Sequence, residues 1–253
     1  MAQQADLPSG AKDRARSRLE AALDERKRSF LRMASHELRT PLNSILGFSE
    51  ILTAELYGPL GASQYKEYAA IIHGSGQKLL KLVNQVLEIA RLEGNTVDFD
   101  AAPEALEAAL DDVLATLKPD LAARNVSVVI DAQGGLPPVT ADGRGLRSVL
   151  TQLIHNAIVF SPEGGAVTVR AEPRDGFVDI AIQDHGDGVD PEQLPRLMEP
   201  FEQGENALTR KGEGAGLGLP IAELTCMAMG GRLRLSSEPG KGLTAVARLP
   251  AAA

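Results

Sequence analysis

A chain of 253 residues, 43% hydrophobic and 24% charged, suits one large globular domain or two ordinary ones with a sizeable core. A formal net charge of −8 excludes a binder of nucleic-acid backbones, which needs a basic face. No apolar run approaches the ~20 residues of a membrane helix, and no basic-then-apolar leader opens the chain. The expectation is a cytoplasmic protein with no membrane segment in this chain.

Residues 1–10 are small, polar and punctuated by Pro8 and Gly10, the pattern of a disordered start. Over 11–56 only Pro41 interrupts a helical pattern, with Leu38, Leu42, Ile45 and Leu52 on one stripe. Basic residues between Lys12 and Arg32 alternate with acidic ones, as on a solvated helix face. His36, Glu37 and Thr40 fall within one turn of this helix, so a nucleophilic imidazole, a carboxylate and a water-positioning hydroxyl stand together. Pro41 removes a backbone hydrogen bond beside them and loosens the helix there. By itself this turn also reads as an ordinary exposed helix face.

Gly58-Pro59-Leu60-Gly61 breaks the pattern, and Ser63 is the expected N-cap of a second helix over 64–92. There Tyr68, Ile72, Ser75, Leu79, Leu82, Val86 and Ile89 recur four and three apart, with Ile71, Val83 and Leu87 widening the stripe. Two such helices make an antiparallel hairpin that cannot bury so broad a face alone. Pairing two hairpins into a four-helix bundle buries it, so a homodimer is expected; the alternative is packing against the rest of the same chain.

Glu93-Gly94-Asn95 ends the hairpin. Beyond it the sequence predicts a helix over 103–124, a strand over 126–130 and an apolar-striped helix over 143–160. Strands follow around Val167 and Val169 and around Val178, Ile180 and Ile182. A helix over 220–229 holds Cys226, read as a buried small hydrophobe; two strands then flank Pro239-Gly240-Lys241-Gly242. The expected organisation is a disordered start over 1–10, a helical unit over 11–94 and a mixed α+β layer domain over 97–250.

Three motifs in the second half carry chemistry. A strand runs into Asp184-His185-Gly186-Asp187-Gly188, where a carboxylate ending an apolar strand wants a donor such as the exocyclic amine of adenine. Gly186 and Gly188 then let backbone approach a flat ring; a hydrated Asp/Gly turn reads equally well. Gly214, Gly216, Leu217 and Gly218 lead into a helix, the arrangement that cradles phosphate on backbone N–H groups. The charged segment before them reads as a lid, with Arg210 and Lys211 in reach of a terminal phosphate. Asn156, on the 143–160 helix, offers an amide oxygen to Mg²⁺. His73 reads as a bundle-surface residue, His155 as a helix residue and His185 as a loop side chain; no spacing suggests a protein-built metal cage.

Together these motifs resemble the sensor histidine kinases of two-component systems. SHELRTPL (35–42) resembles their phosphoacceptor box, LIHNAIVF the N box, DHGDG the first glycine box, EPFEQ (199–203) the F box, GAGLGL the second glycine box and Gly240-Lys241-Gly242-Leu243-Thr244 the last. GFSEI, GPLG, YKEY and SGQKLL in the hairpin further resemble the alphaproteobacterial PleC/DivJ type, whose partners are small DivK-like receivers. The resemblance implies a dimeric helical bundle for dimerisation and phosphotransfer, followed by a Bergerat-type (GHKL) α/β sandwich that binds ATP with Mg²⁺. It implies His36 as phosphoacceptor, Glu37 as base or orienting group and Thr40 as aligner of water for dephosphorylation. It assigns ATP contacts to Asn156, Asp184, Gly186, Gly188, Phe201, Arg210, Lys211, Gly214, Gly216, Leu217, Gly218 and Thr244, and Mg²⁺ to Asn156 with help from Gln152. An unperturbed imidazole, with a pKa of about 6.5, is mostly neutral near pH 7 and attacks without prior deprotonation. The phosphoryl group then passes to an aspartate of a response-regulator receiver.

Two departures stand out. Gln152 replaces a second Asn of the N box, and Val159 replaces a frequent Lys. Val159 cannot contact phosphate, so weakened ATP use, as in a phosphatase-biased or phosphotransfer-only adaptor, is the alternative reading. A chaperone- or topoisomerase-type ATPase needs a catalytic glutamate one turn before the Asn, and Gln152 cannot act as that base.

Overall fold

The computed structural model describes residues 42–94, 96–132, 134–202 and 215–252. The expected disordered start over 1–10, the expected helix up to residue 41 and the expected lid over 203–211 fall outside the described residues. The chain divides into two units, one ending at Thr96 and one beginning at Val97.

In the first unit, helix α1 (42–53) and helix α2 (Ser63–Glu93) are joined by a turn. Glu55, Gly58 and Gly61 take positive φ in that turn. The Glu55 carboxylate accepts from Lys66 Nζ at 3.2 Å and from Leu60 N–H at 3.4 Å. The Lys66 hydrogen bond, with the Leu60 amide and the Lys66 charge, holds its pKa below the usual carboxylate value. Ser63 is the first helical residue rather than the expected N-cap; Ala62 holds that position and makes no side-chain capping bond.

The seam between the two helices is narrow. Leu42, Ser49, Ala69, Gly76 and Leu87 are buried, and a Cβ on Gly76 would stand 3.0 Å from Leu46 Cδ2. His73 sits in this seam and not on the bundle surface: Nδ1 is 3.2 Å from Ser49 Oγ and 3.3 Å from the Leu46 carbonyl. Ser49 Oγ donates to the same carbonyl at 2.9 Å, so its lone pair is the acceptor left for an Nδ1–H. Of the heptad stripe, Tyr68, Ile72, Leu79 and Val86 are exposed while Ile89 is buried; on α1, Ile45, Phe48 and Leu52 are exposed too.

In the second unit, strand β1 (Ala102–Glu104) precedes helix α3 (Leu106–Arg124) and strand β2 (Ser127–Ile130). Strand β3 (Val139–Ala141) and helix α4 (Gly143–Phe160) follow, then strands β4 (Ala166–Arg174) and β5 (Phe177–Gln183). A 3-10 turn (Pro191–Gln193), a one-turn helix α5 (Leu194–Leu197), helix α6 (Gly218–Ala228) and strands β6 (Arg232–Ser237) and β7 (Leu243–Pro250) complete it. The main sheet has the order β2-β4-β5-β7-β6, with β2 parallel to β4 and every other pair antiparallel. β1 and β3 form a separate antiparallel pair.

Period-two patterning explains the layering. Val178, Ile180 and Ile182 on β5 and Leu243, Ala245, Ala247 and Leu249 on β7 are buried, and their alternates are only half-buried. The buried set joins Leu106, Leu110, Leu146, Leu150, Leu153, Ile154, Ile158, Ala222 and Cys226 in one core. This is an α/β sandwich whose helices cover one sheet face. Each large aliphatic side chain so buried contributes about 1.5–3 kcal/mol relative to exposure. Burial, with the charge of Glu223 nearby, pushes the Cys226 thiol up to about 12, so it stays an unreactive part of that core.

The first predicted helix of this unit, expected from 103, begins at Leu106 because 102–104 pair with β3. Two three-residue strands that meet across the whole of α3 leave no local periodicity to read. No helix among the described residues is long and apolar enough to cross a membrane.

Candidate active site

β5 lies at the centre of the main sheet, and Asp184 ends it on the buried parity set by Val178, Ile180 and Ile182. Its backbone N–H donates to the Leu243 carbonyl at 3.0 Å. Its Oδ1 accepts from Gly186 N–H at 2.9 Å and from Leu243 N–H at 3.2 Å. Among the described residues no hydrogen bond falls on Oδ2, although Asp184 is only 2% exposed. Burial pushes its pKa above the ordinary value; the two amides and His185 offset this only in part. One oxygen is thus fixed by the main chain while the other remains an acceptor.

The glycines around it are required by close backbone crossings. A Cβ on Gly186 would run into the Phe160 carbonyl at the end of α4, and one on Gly188, at φ +66°, into the Glu238 carbonyl. The sequence expectation gave both glycines to the approach of a flat ring; the space where their side chains would stand is taken by protein backbone. Gly242, at φ +76°, would place a Cβ on the Asp184 carbonyl. Ser237 Oγ ties the crossing loops together by donating to Gly242 O at 2.6 Å and accepting from Val189 N–H at 2.8 Å. Sequence reasoning singled out none of Leu243, Ser237 and Phe160. The alternation of 243–249 carries the signal for Leu243, because the same parity that buries Leu249 and Ala247 also buries it.

That alternation separates Thr244 from Asp184. Thr244 pairs with Gln183, whose neighbours on the buried parity are Ile182 and Asp184. Successive strand residues point to opposite faces, so Thr244 lies on the sheet face away from the helices. The structure does not bring it to the Asp184 carboxylate; Leu243 occupies that place.

α4 supplies the second wall. Asp142 caps it, with Oδ1 accepting from Arg144 N–H at 3.0 Å and Gly145 N–H at 2.9 Å. Burial works against this carboxylate, but the amides of Gly145, Asp100 and Arg144 and the Arg144 charge outweigh it and lower its pKa. Gln152 and Asn156 follow one turn apart on one side of the helix, both half-buried. Gln152 Oε1 lies 3.0 Å from where a Cβ on Gly218 would stand, so this edge of α4 meets the first turn of α6. Val159 is half-buried three residues beyond Asn156. Among the described residues no group of three or more His, Cys, Asp or Glu can hold a metal. A lone Asn amide oxygen therefore fits only a hard cation that keeps its waters and takes its other ligands from phosphate.

The loop into α6 is held by main chain. Phe201 N–H donates to the Gly216 carbonyl at 3.2 Å, and a Cβ on Gly216 (φ +69°) would be 2.5 Å from the Glu202 carbonyl. Phe201 itself is exposed at φ +68°, a strained conformation for an aromatic residue. Arg196 pairs with Glu202 at 2.7 Å across the same turn. Leu217 is buried beneath Gly216 and Gly218. His185 Nδ1 is 3.0 Å from the Ala166 carbonyl, which fixes that ring as a loop support. His36, Glu37, Thr40, Arg210, Lys211 and Gly214 lie outside the described residues.

The model of the His Kinase A (phospho-acceptor) domain matches residues 26–95. The model of the histidine kinase-, DNA gyrase B- and HSP90-like ATPase matches residues 141–253. Histidine protein kinase DivJ of Caulobacter vibrioides is 41% identical over 249 residues, 95% of this chain and 40% of that protein. The non-motile and phage-resistance protein of the same organism is 41% identical over 228 residues, 88% of this chain and 27% of that protein. The chain thus spans well under half the length of these relatives. Among solved structures, full-length ShkA in complex with AMPPNP matches with a TM-score of 0.76 and 33% identity, over 89% of this chain and 46% of that one. A phospho-acceptor helical region followed by an ATPase sandwich, with relatives of the DivJ type, makes the chain a member of the histidine kinase family.

Proposed function

We propose that the chain is the core of a sensor histidine kinase, with residues 11–94 as dimerisation and phosphotransfer domain and 97–250 as ATP-binding domain. Asp184 carries the reading. A buried carboxylate with Oδ1 clamped by two amides and Oδ2 left over is built to accept from an adenine amine, at the end of the central strand of an α/β sandwich in a chain with a phospho-acceptor domain. Gly186, Gly188 and Gly242 hold that carboxylate in place, and Gly216, Leu217 and Gly218 present the N-terminus of α6 to phosphate. Phe201, Arg210, Lys211 and Gly214 complete the nucleotide contacts from the F box and lid. Asn156, with help from Gln152, offers an amide oxygen to Mg²⁺, which when bound neutralises charge on the transferring phosphates. Neutral His36 attacks the γ-phosphorus, so an N–P bond forms as the P–O bond to ADP breaks. Glu37 takes or orients the imidazole proton. The exposed stripe of Tyr68, Ile72, Leu79 and Val86 pairs two copies into a four-helix bundle.

The phosphoryl group passes on to an aspartate of a response-regulator receiver, with a single-domain DivK-like protein as the preferred partner. Thr40 aligns water for the reverse reaction, and Val159 in place of a lysine biases the protein toward it. Incubation with γ-labelled ATP and Mg²⁺ is the test. Acid-labile, base-stable label that disappears in His36→Ala is the expected result; nucleotide binding without label on the wild type would leave only the phosphatase or adaptor reading.

A further inference from the structure

The chain enters the ATPase unit through residues 97–101, and two contacts fasten it. The Phe99 ring lies over Gly145 on the first turn of α4, where a Cβ would be 2.8 Å from Phe99 Cε1 and 2.9 Å from Met229 Sδ. Only glycine leaves room there for ring and thioether together, and Phe99 packs through that slot onto the core. One residue on, Asp100 N–H donates to Asp142 Oδ2 at 3.2 Å, while Oδ1 of the same buried carboxylate caps α4. α2 ends at Glu93, so residues 94–98 separate it from this anchor. Without the anchor the next paired element is β1, beginning at Ala102, and 94–101 intervene. Asn156 stands fourteen residues along α4 from Asp142, about 21 Å at 1.5 Å per residue.

Resting on the histidine kinase reading, we propose that Phe99, seated over Gly145, is a positioning residue for phosphoryl transfer. It fixes where and in which direction the chain leaves the ATPase unit, and so the effective concentration of the bound γ-phosphoryl group at His36. It does so from a place remote from the nucleotide. Effective concentration falls with about the −3/2 power of connecting length, so release from five to eight residues costs about twofold. Loss of a fixed exit direction adds to this, because transfer geometry is sensitive to displacements of about 1 Å.

The test uses the full chain with Phe99→Ala, Phe99→Leu and Gly145→Ala. Expected for Phe99→Ala is hydrogen exchange at the Asp100 amide about tenfold faster or more, as a locally released segment shows. Mg-ATP affinity should stay within about twofold, while the rate of label incorporation at saturating ATP falls about three- to tenfold. Gly145→Ala, whose methyl competes with the ring, should behave alike, and Phe99→Leu should recover most of the rate. A Phe99→Ala protein with the wild-type rate, with unchanged Asp100 exchange, or with affinity lost as far as rate overturns the proposal. A wild type that takes up no label is a separate outcome: it removes the histidine kinase reading before any variant is compared.

Discussion

At Asp184 two opposing effects meet, and each can be measured. Burial favours its neutral form, whereas the Gly186 and Leu243 amides favour the carboxylate and lose. A carboxyl whose pKa is raised on folding contributes stability that is present below its unfolded pKa of ~3.9 and is lost as pH rises through the folded value. Asp184→Asn keeps an acceptor for both amides and abolishes that loss, so its apo melting temperature at pH 7 should equal or exceed that of the wild type. The same change turns the Oδ2 acceptor into a donor facing adenine's amine. Nucleotide affinity should then fall by about 1.5–3 kcal/mol, roughly 10–150-fold, in calorimetric titration. Retained affinity would place the base elsewhere. Gly188→Ala should cost about 1–3 kcal/mol in denaturant unfolding, since it forces a side chain into positive φ and against the Glu238 carbonyl. The burial of Asp184 was legible in the sequence because it continues the alternation of Val178, Ile180 and Ile182, whereas its hydrogen-bond partners were not. Motif position marks Thr244, whereas the alternation of 243–249 sets Leu243 and Thr244 on opposite faces and gives the amide beside Asp184 to Leu243.

The elements differ in how much of their cause is local. α4 carries its own start signal in Asp142 and its own apolar stripe, and its bounds follow from them. Asp142→Ala should destabilise the second unit by about 1–2 kcal/mol through the lost cap. Its pKa is lowered on folding, so the capping contribution is present above the unfolded pKa and lost as pH falls through the folded value. Melts of Asp142→Ala and wild type should therefore converge in acid, a pH slope opposite in sign to that of Asp184. On the same helix, Val159→Lys restores a cation near the proposed phosphates and should tighten ATP binding by about 1 kcal/mol, roughly fivefold at low salt. An unchanged dissociation constant would remove Val159 as the cause of any phosphatase bias. His73 shows the limit of local reading, since nothing on α2 alone announces that Leu46 and Ser49 stand opposite it.

Across the whole molecule, the proposed dimer rests on the apolar residues left outside on α1 and α2. Ile72→Glu with Leu79→Glu should convert the proposed dimer to monomer in light scattering, because each buried aliphatic side chain is worth about 1.5–3 kcal/mol and counts twice in a symmetric pair. A dimer that survives both charges would locate the interface elsewhere. The sequence by itself determined the longer helices and strands of the second unit and their buried faces, because period and punctuation are properties of neighbouring residues; the short β1 and β3 carry no such period. Only the tertiary structure decided that Leu243 rather than Thr244 stands beside Asp184 and that the glycines of the first box make way for protein backbone. It alone placed Phe99 in a slot over Gly145. Each of these depends on which distant segments cross, and a crossing leaves no mark on the local pattern of either strand of chain.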